Sequence, residues 1–223
     1  MESVKVSGLR KVYNEKGMPV DALRGVDLSV EKGEFLALVG PSGSGKTTLL
    51  NLIGGLDRPT EGEILIEGRE ITGLSGSELS ELRLRRIGFV FQEYNLIPVL
   101  TAIENVEYVM LLQGVGEKER RERAISILKE VGLEGMEARR PRELSGGQQQ
   151  RVAVARAIVS EPAIVLADEP TANLDSNTGA ALLDLMRGLN ESKEVTFIFS
   201  THDPMVMERA RRIVRLKDGT IVT

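Results

Sequence analysis

Cysteine is absent from the 223 residues, and histidine occurs once. The first absence removes disulfide scaffolds, thiolate metal sites and a cysteine nucleophile together, and it suits a reducing compartment. Long hydrophobic runs are missing too. Strictly apolar stretches such as Ala163–Ala167 and Tyr108–Leu112 stop at five residues, whereas a membrane-spanning helix needs about 20. The N-terminal stretch, residues 1–17, carries no apolar segment, so no secretory signal is expected. The expectation is a soluble chain, or one that reaches a membrane through a partner. Charge of one sign is also scarce. The 29 basic and 33 acidic side chains leave a net charge of −4, which argues against a chain built to coat nucleic acid. What is present is an ordinary globular balance, 41% hydrophobic and 28% charged. That excludes a largely disordered chain and suffices for one large domain or two small lobes sharing a core.

Short apolar runs bounded by Gly and Pro predict strands at Val4–Val6, Phe35–Val39, Ile64–Ile66, Gly88–Phe91, Ile164–Ala167, Val195–Phe199 and Ile213–Leu216. Apolar residues at helical spacing mark Arg121–Val131, Gln148–Val159 and Ala180–Leu189. Alternation of strands and helices toward the C-terminal end predicts an α/β fold with a mostly parallel sheet covered on both faces. Residues about 93–160 read as a helical unit inserted into a core formed by about 1–92 and 161–223, the whole making a single domain. No repeat of 20–50 residues interrupts this pattern.

The strongest chemical signal is Gly40, Pro41, Ser42, Gly43, Ser44, Gly45, Lys46 and Thr47, which fit the phosphate-loop pattern GxxxxGK[ST] in full. An apolar strand precedes the segment and a helical stretch beginning at Thr48 follows. Such glycines let backbone N–H groups converge on phosphate oxygens at a helix N-terminus. Lys46 would neutralise β/γ-phosphate charge, and the Thr47 hydroxyl would ligate Mg²⁺. The competing reading, a Gly/Ser loop with an incidental lysine, does not explain that flanking pattern. A second signal is the strand Ala163–Ala167 running into Asp168 and Glu169. Carboxylates at the end of a buried strand are costly unless used; alone they would as readily be a solvated turn. Beside a phosphate loop, Asp168 can hold Mg²⁺ and Glu169 can polarise an attacking water. A third is Leu144–Gln148, where Ser145 is a candidate N-cap and Gly146 and Gly147 leave amides bare at a helix's positive end. Alone, that is most often an ordinary cap.

Together the three motifs resemble the nucleotide-binding subunit of an ATP-binding-cassette (ABC) transporter, with GPSGSGKT as Walker A, LSGGQ as signature and IVLADE as Walker B. The resemblance covers essentially the whole chain. It implies a P-loop NTPase core, an N-terminal antiparallel β subdomain and an inserted helical signature subdomain. It also implies ATP hydrolysis with Mg²⁺ in a head-to-tail homodimer, each ATP lying between one chain's phosphate loop and the partner's Ser145, Gly146, Gly147 and Gln148. By the same resemblance Tyr13 stacks on adenine, Thr48 joins the nucleotide contacts, and Gln92 is the Q-loop glutamine sensing Mg²⁺. Asp175 then crosses the dimer interface, and His202 is the switch histidine that contacts the γ-phosphate and orients Glu169. Ala172 departs from the glycine that close relatives often carry.

The stretches Gly88–Val106 and Ala167–Ser176 resemble the lipoprotein-releasing and macrolide-exporter group, and the related cell-division ATPase. This implies a separate integral-membrane permease and a cytoplasmic chain held at the inner face of the cell membrane. A non-transporting mechanotransmission ATPase is the alternative; a soluble cassette acting on nucleic acid or ribosomes is disfavoured by the uninterrupted single cassette. The arginines at 83, 85, 86, 120, 121, 123, 139, 140 and 142 sit among glutamates without interleaved aromatics, which reads as a solvated face, and no nucleic-acid partner is expected. Leu96, Ile97, Pro98 and Val99 are apolar for a loop after a strand, and are expected to help form the groove that receives a permease helix; the alternative is that they cap the helical unit internally.

Overall fold

In the computed structural model, which describes residues 2–15 and 18–222, the chain opens with a long hairpin, β1 (Glu2–Glu15) and β2 (Met18–Glu31). Then follow β3 (Phe35–Val39), α1 (Lys46–Ile53), β4 (Glu61–Ile66), the short β5 (Arg69–Glu70), α2 (Gly76–Arg86) and β6 (Ile87–Val90). The next stretch is helical: α3 (Ala102–Leu112), α4 (Glu117–Glu130), a 3-10 turn at Pro141–Glu143 and α5 (Gly146–Ile158). β7 (Ile164–Asp168), α6 (Ser176–Lys193), β8 (Thr196–Thr201), α7 (Pro204–Arg209), β9 (Arg212–Lys217) and β10 (Thr220–Val222) complete it.

Two sheets result. The first is antiparallel in the order β2-β1-β4-β5; the second runs β10-β9-β3-β8-β7-β6, parallel except for the β9–β10 hairpin. All residues of β3 and β8 are buried, as a parallel strand covered on both faces requires. Their side chains alternate between two cores. Phe35, Ala37, Phe197 and Phe199 pack toward the helical side, with the Phe35 and Phe199 rings 4.6 Å apart, while Leu36, Leu38 and Ile198 face α1 and the antiparallel sheet. The P-loop-type core, the mostly parallel sheet and the N-terminal antiparallel unit are as the sequence leads one to expect.

Differences lie at element ends and in whole elements, such as β2 and α2, that the apolar runs do not mark. The sixth strand begins at Ile87 and ends at Val90, one residue earlier than Gly88–Phe91, because it pairs with β7 from Ile87↔Ile164 to Val90↔Ala167. β8 runs on to Thr201: Ser200 and Thr201 are polar yet fully buried, so apolar content alone stops the strand too early. No strand occurs within 93–160 among the described residues. Helices α2, α3 and α5 each start with a capping box, formed by Ser75 with Glu78, Thr101 with Glu104, and Ser145 with Gln148.

Candidate active site

The phosphate loop links β3 to α1 at the carboxyl ends of the parallel strands, where open α/β sheets bind ligands. Gly45 has φ 102°, and a Cβ there would stand 2.6 Å from the Ala22 carbonyl oxygen, so only glycine lets the loop curl this close to β2. Lys46 folds back over the loop. Its Nζ donates to the carbonyls of Gly40 at 2.8 Å and Pro41 at 3.1 Å. The buried hydroxyl of Ser44 has no hydrogen-bond partner, a polar atom left over in a loop built to meet an anion.

Beside this loop β7 delivers Asp168 and Glu169. The Thr47 hydroxyl reaches Asp168 Oδ1 at 3.3 Å. Glu169 sits at φ 44°, its N–H donating to the Ser200 carbonyl at 2.9 Å. Both of its carboxylate oxygens are engaged: Oε1 with His202 Nδ1 at 2.7 Å, Oε2 with the Thr201 hydroxyl at 3.0 Å. The His202 side chain is 74% exposed, so solvent or a ligand can reach the ring. A cavity of about 600 Å³ gathers Pro41–Thr48, Gln92, Glu169, Ala172 and His202, closed on one side by Val20, Asp21 and Ala22 of β2. These three β2 residues are not apparent from the sequence, because they lie at the exposed and half-buried end of β2, outside its apolar alternation over Val26, Leu28 and Val30.

Tyr13 lies next to the cavity: it pairs across the hairpin with Val20, and its hydroxyl donates to Asp57 Oδ2 at 2.7 Å. Burial and the bond to Asp57 raise the Tyr13 pKa above its ordinary value. At Asp57 burial pulls upward, but hydrogen bonds from Lys11, Tyr13 and the Arg58 N–H outweigh it and hold the carboxyl below the usual range.

The signature segment is elsewhere. Ser145 and Gln148 satisfy each other at the start of α5, the Gln148 N–H reaching Ser145 Oγ at 3.3 Å and the Ser145 N–H reaching Gln148 Oε1 at 2.9 Å, and Ser145–Gln148 is outside the cavity lining. Asp175 caps α6, accepting from the N–H groups of Asn177 and Thr178 at 3.1 Å each. Hydrogen bonds from Thr178, by side chain and by backbone, hold its carboxyl below the ordinary range. The Gln92 carbonyl accepts from Asn173 Nδ2 at 3.0 Å. One buried connector was not apparent from the sequence: Gln150 of α5 donates to the carbonyls of Phe91 at 3.1 Å and Pro170 at 2.8 Å. Its position inside an apolar helix face is the only sequence signal for it.

The family model described as ABC transporter matches residues 23–172. The lipoprotein-releasing system ATP-binding protein LolD of Syntrophus aciditrophicus is 44% identical over 220 residues, covering 99% of each chain. The macrolide export ATP-binding/permease protein MacB of Syntrophobacter fumaroxidans is 47% identical over 223 residues, covering 99% of this chain and 31% of the relative. Among solved structures, the dimeric post-hydrolysis state of the ATP-binding cassette MJ0796 of Methanocaldococcus jannaschii, bound to ADP and Pi, superposes with a TM-score of 0.90. Its identity is 46%, with 99% of this chain and 97% of that one covered.

Proposed function

This chain belongs to the ABC transporter family as an ATP-hydrolysing subunit of the LolD and MacB type, and from that premise we propose that two copies clamp two ATP molecules and thereby drive a separate integral-membrane permease. One observation carries the reading. The cavity gathers Lys46, Thr47, Gln92, Glu169 and His202, while the Ser145–Gln148 helix end of the same chain stands outside it. A second copy placed head to tail supplies that helix end to the triphosphate, and the dimeric cassette with ADP and Pi supports such a pairing.

Lys46 then exchanges the Gly40 and Pro41 carbonyls for phosphate oxygens, and the loop amides take up the remainder. Thr47, Asp168 and Gln92 offer oxygen donors that suit Mg²⁺. No group of three or more His, Asp and Glu forms a protein-only cage among the described residues, which fits an ion completing its shell with phosphates and water. When bound, Mg²⁺ neutralises charge on the β- and γ-phosphates. Glu169 accepts the proton of the attacking water at a carboxylate oxygen, and His202, already 2.7 Å from it, orients that carboxylate and reaches the γ-phosphate. Tyr13 and Thr48 hold the nucleoside side.

Glu169→Gln keeps the shape and removes the base. This variant is expected to bind ATP, scarcely hydrolyse it, and run as a dimer in size-exclusion chromatography with light scattering; adding Ser145→Arg fills the partner's phosphate site and returns a monomer. A Glu169→Gln protein that stays monomeric at saturating ATP, or hydrolyses at the parent rate, overturns the composite site.

The permease contact is assigned to a groove of about 390 Å³ lined by Leu56, Phe89, Phe91, Asn95, Val109 and Arg156. The loop after β6 lends Asn95 to this groove, while its apolar side chains divide. Leu96 packs on the helical core, and Asn105 fixes the loop by accepting the Ile97 N–H at 2.8 Å, while Val99 remains 72% exposed. Leu56→Glu should release the chain from membranes containing the permease while ATP binding persists; retention on those membranes places the contact elsewhere. The cargo of this reading is a lipoprotein, peptide or drug-like molecule moved by export or release; the relatives named for lipoprotein release and macrolide export support the first and the last.

A further inference from the structure

Lys11, Tyr13 and Asp57 form a closed cluster beside the nucleotide cavity. Tyr13 stands opposite Val20, a cavity-lining residue, and opposite residues of an antiparallel ribbon share a face. Its hydroxyl donates to Asp57 Oδ2 at 2.7 Å. Lys11 Nζ donates to Asp57 Oδ1 at 2.8 Å and to the Arg58 carbonyl at 2.7 Å, and it also stands 4.7 Å from the centroid of the Tyr13 ring. The Lys11 side chain is 12% exposed, so its ammonium is held against the ring rather than extended into water. Asp57 is tied in turn to α1, the helix that carries Lys46: the N–H groups of Leu56 and Asp57 reach the Asn51 carbonyl at 2.9 Å and 3.4 Å. A continuous set of bonds therefore runs from the phosphate-loop helix, through one carboxylate, to the aromatic ring.

We infer that Asp57 is a positioning residue which, with Lys11 closing one face of the ring, holds Tyr13 in place as a preformed platform for the nucleobase. The inference rests on the reading of Tyr13 as the base-stacking residue, and it adds what fixes that residue. Three features support it. The hydroxyl bond fixes the direction in which the ring projects. The Lys11 ammonium covers one face and leaves the base the other. The Asn51 anchor sets the height of the platform relative to the phosphate loop, so that base and phosphates are met at a fixed separation. A ring ordered before binding loses no rotamer freedom when the base arrives.

The test compares ADP with inorganic pyrophosphate, which presents phosphates without a nucleoside, by calorimetric titration of the full chain. Tyr13→Ala should weaken ADP about tenfold, the loss of one stacked base. Asp57→Ala and Tyr13→Phe should each weaken it roughly twofold to tenfold, the cost of ordering one freed side chain. Pyrophosphate affinity should stay at the parent value in all three, and Asp57→Ala should add no further loss on top of Tyr13→Ala. The inference is overturned if Asp57→Ala binds ADP as the parent does, if it weakens ADP and pyrophosphate alike, or if it weakens ADP further when Tyr13 is already alanine. A Tyr13→Ala protein with parental ADP affinity removes the base-stacking reading itself.

Discussion

A methyl group added at Gly40 would stand 2.2 Å from the Leu216 carbonyl oxygen and 2.7 Å from Ser44 Oγ, so the phosphate loop sits against β9 with no space for a side chain. Gly40→Ala should therefore push the loop off its strand, lowering stability by about 1–3 kcal/mol and weakening ATP at the same time. Thermal unfolding and titration of a fluorescent ATP analogue read the two effects; parental values in both would show that the loop yields freely. Lys46→Ala has a different character. Loss of the ammonium leaves phosphate charge uncompensated, and charge-assisted hydrogen bonds contribute roughly 1.5–3 kcal/mol each, so ATP affinity should fall about 10–100-fold. Unchanged affinity with unchanged hydrolysis would refute the phosphate-loop assignment. These residues are legible in the sequence because Gly40–Thr47 is one contiguous segment whose spacing is dictated by the phosphates. Asp57 is not: it lies 46 residues from Lys11 and 44 from Tyr13, and only the folded hairpin brings them together. Thr201, whose hydroxyl engages Glu169, is hidden for a related reason, since a buried polar residue at a strand end looks like the start of a loop.

The same physics sorts the elements. β3, β7 and β8 are readable because both faces are buried and an apolar run fills most of each strand, Phe35–Val39, Ile164–Ala167 and Phe197–Phe199. β2 alternates only over Val26, Leu28 and Val30, too short a stretch to show a 14-residue strand, and α2 buries only Leu79 and Leu82 among charges. What α2 does leave is its cap, and the caps make testable elements. Thr101 accepts the Glu104 N–H, and Glu104 reaches back to the Thr101 N–H at 2.7 Å and the Thr101 hydroxyl at 2.8 Å. Thr101→Ala should cost about 1 kcal/mol and lower the melting temperature by roughly 2–4 °C in a chain of this size. The bonds from Thr101, backbone first and hydroxyl second, hold the Glu104 carboxyl below its usual range. A carboxyl that binds protons less readily folded than unfolded adds stability above the unfolded pKa, and that stability fades as pH falls through the folded one. The advantage of the parent over Glu104→Gln should thus shrink between about pH 7 and about pH 3. Unfolding curves along that series check it, and a constant difference would mean that the carboxylate charge contributes nothing.

For the molecule as a whole, the central sheet couples its two cores. Neighbouring residues of β3 point into opposite clusters, Phe35 and Ala37 into one, Leu36 and Leu38 into the other, and the helical unit packs into the same cluster as Phe35. Neither side can melt without exposing the other. Calorimetry of the nucleotide-free chain should show one transition, and ATP should raise its midpoint by mass action; two separated transitions would show that the helical unit unfolds by itself. Arg156 adds a mechanical property to this arrangement. From α5 it grips the carbonyls of Tyr94 at 3.0 Å and Asn95 at 2.6 Å, and burial pulls its pKa below the ordinary arginine value. Ser145 caps the same helix about 16.5 Å away, at 1.5 Å per residue. A hydrogen-bonded rod of that length resists stretching far more than the loops around it, so a tug on Asn95 is not absorbed along the way. Between the two ends, Gln150 pins the same helix to the carbonyls of Phe91 and Pro170, so the groove side and the Ser145 cap belong to one stiff piece.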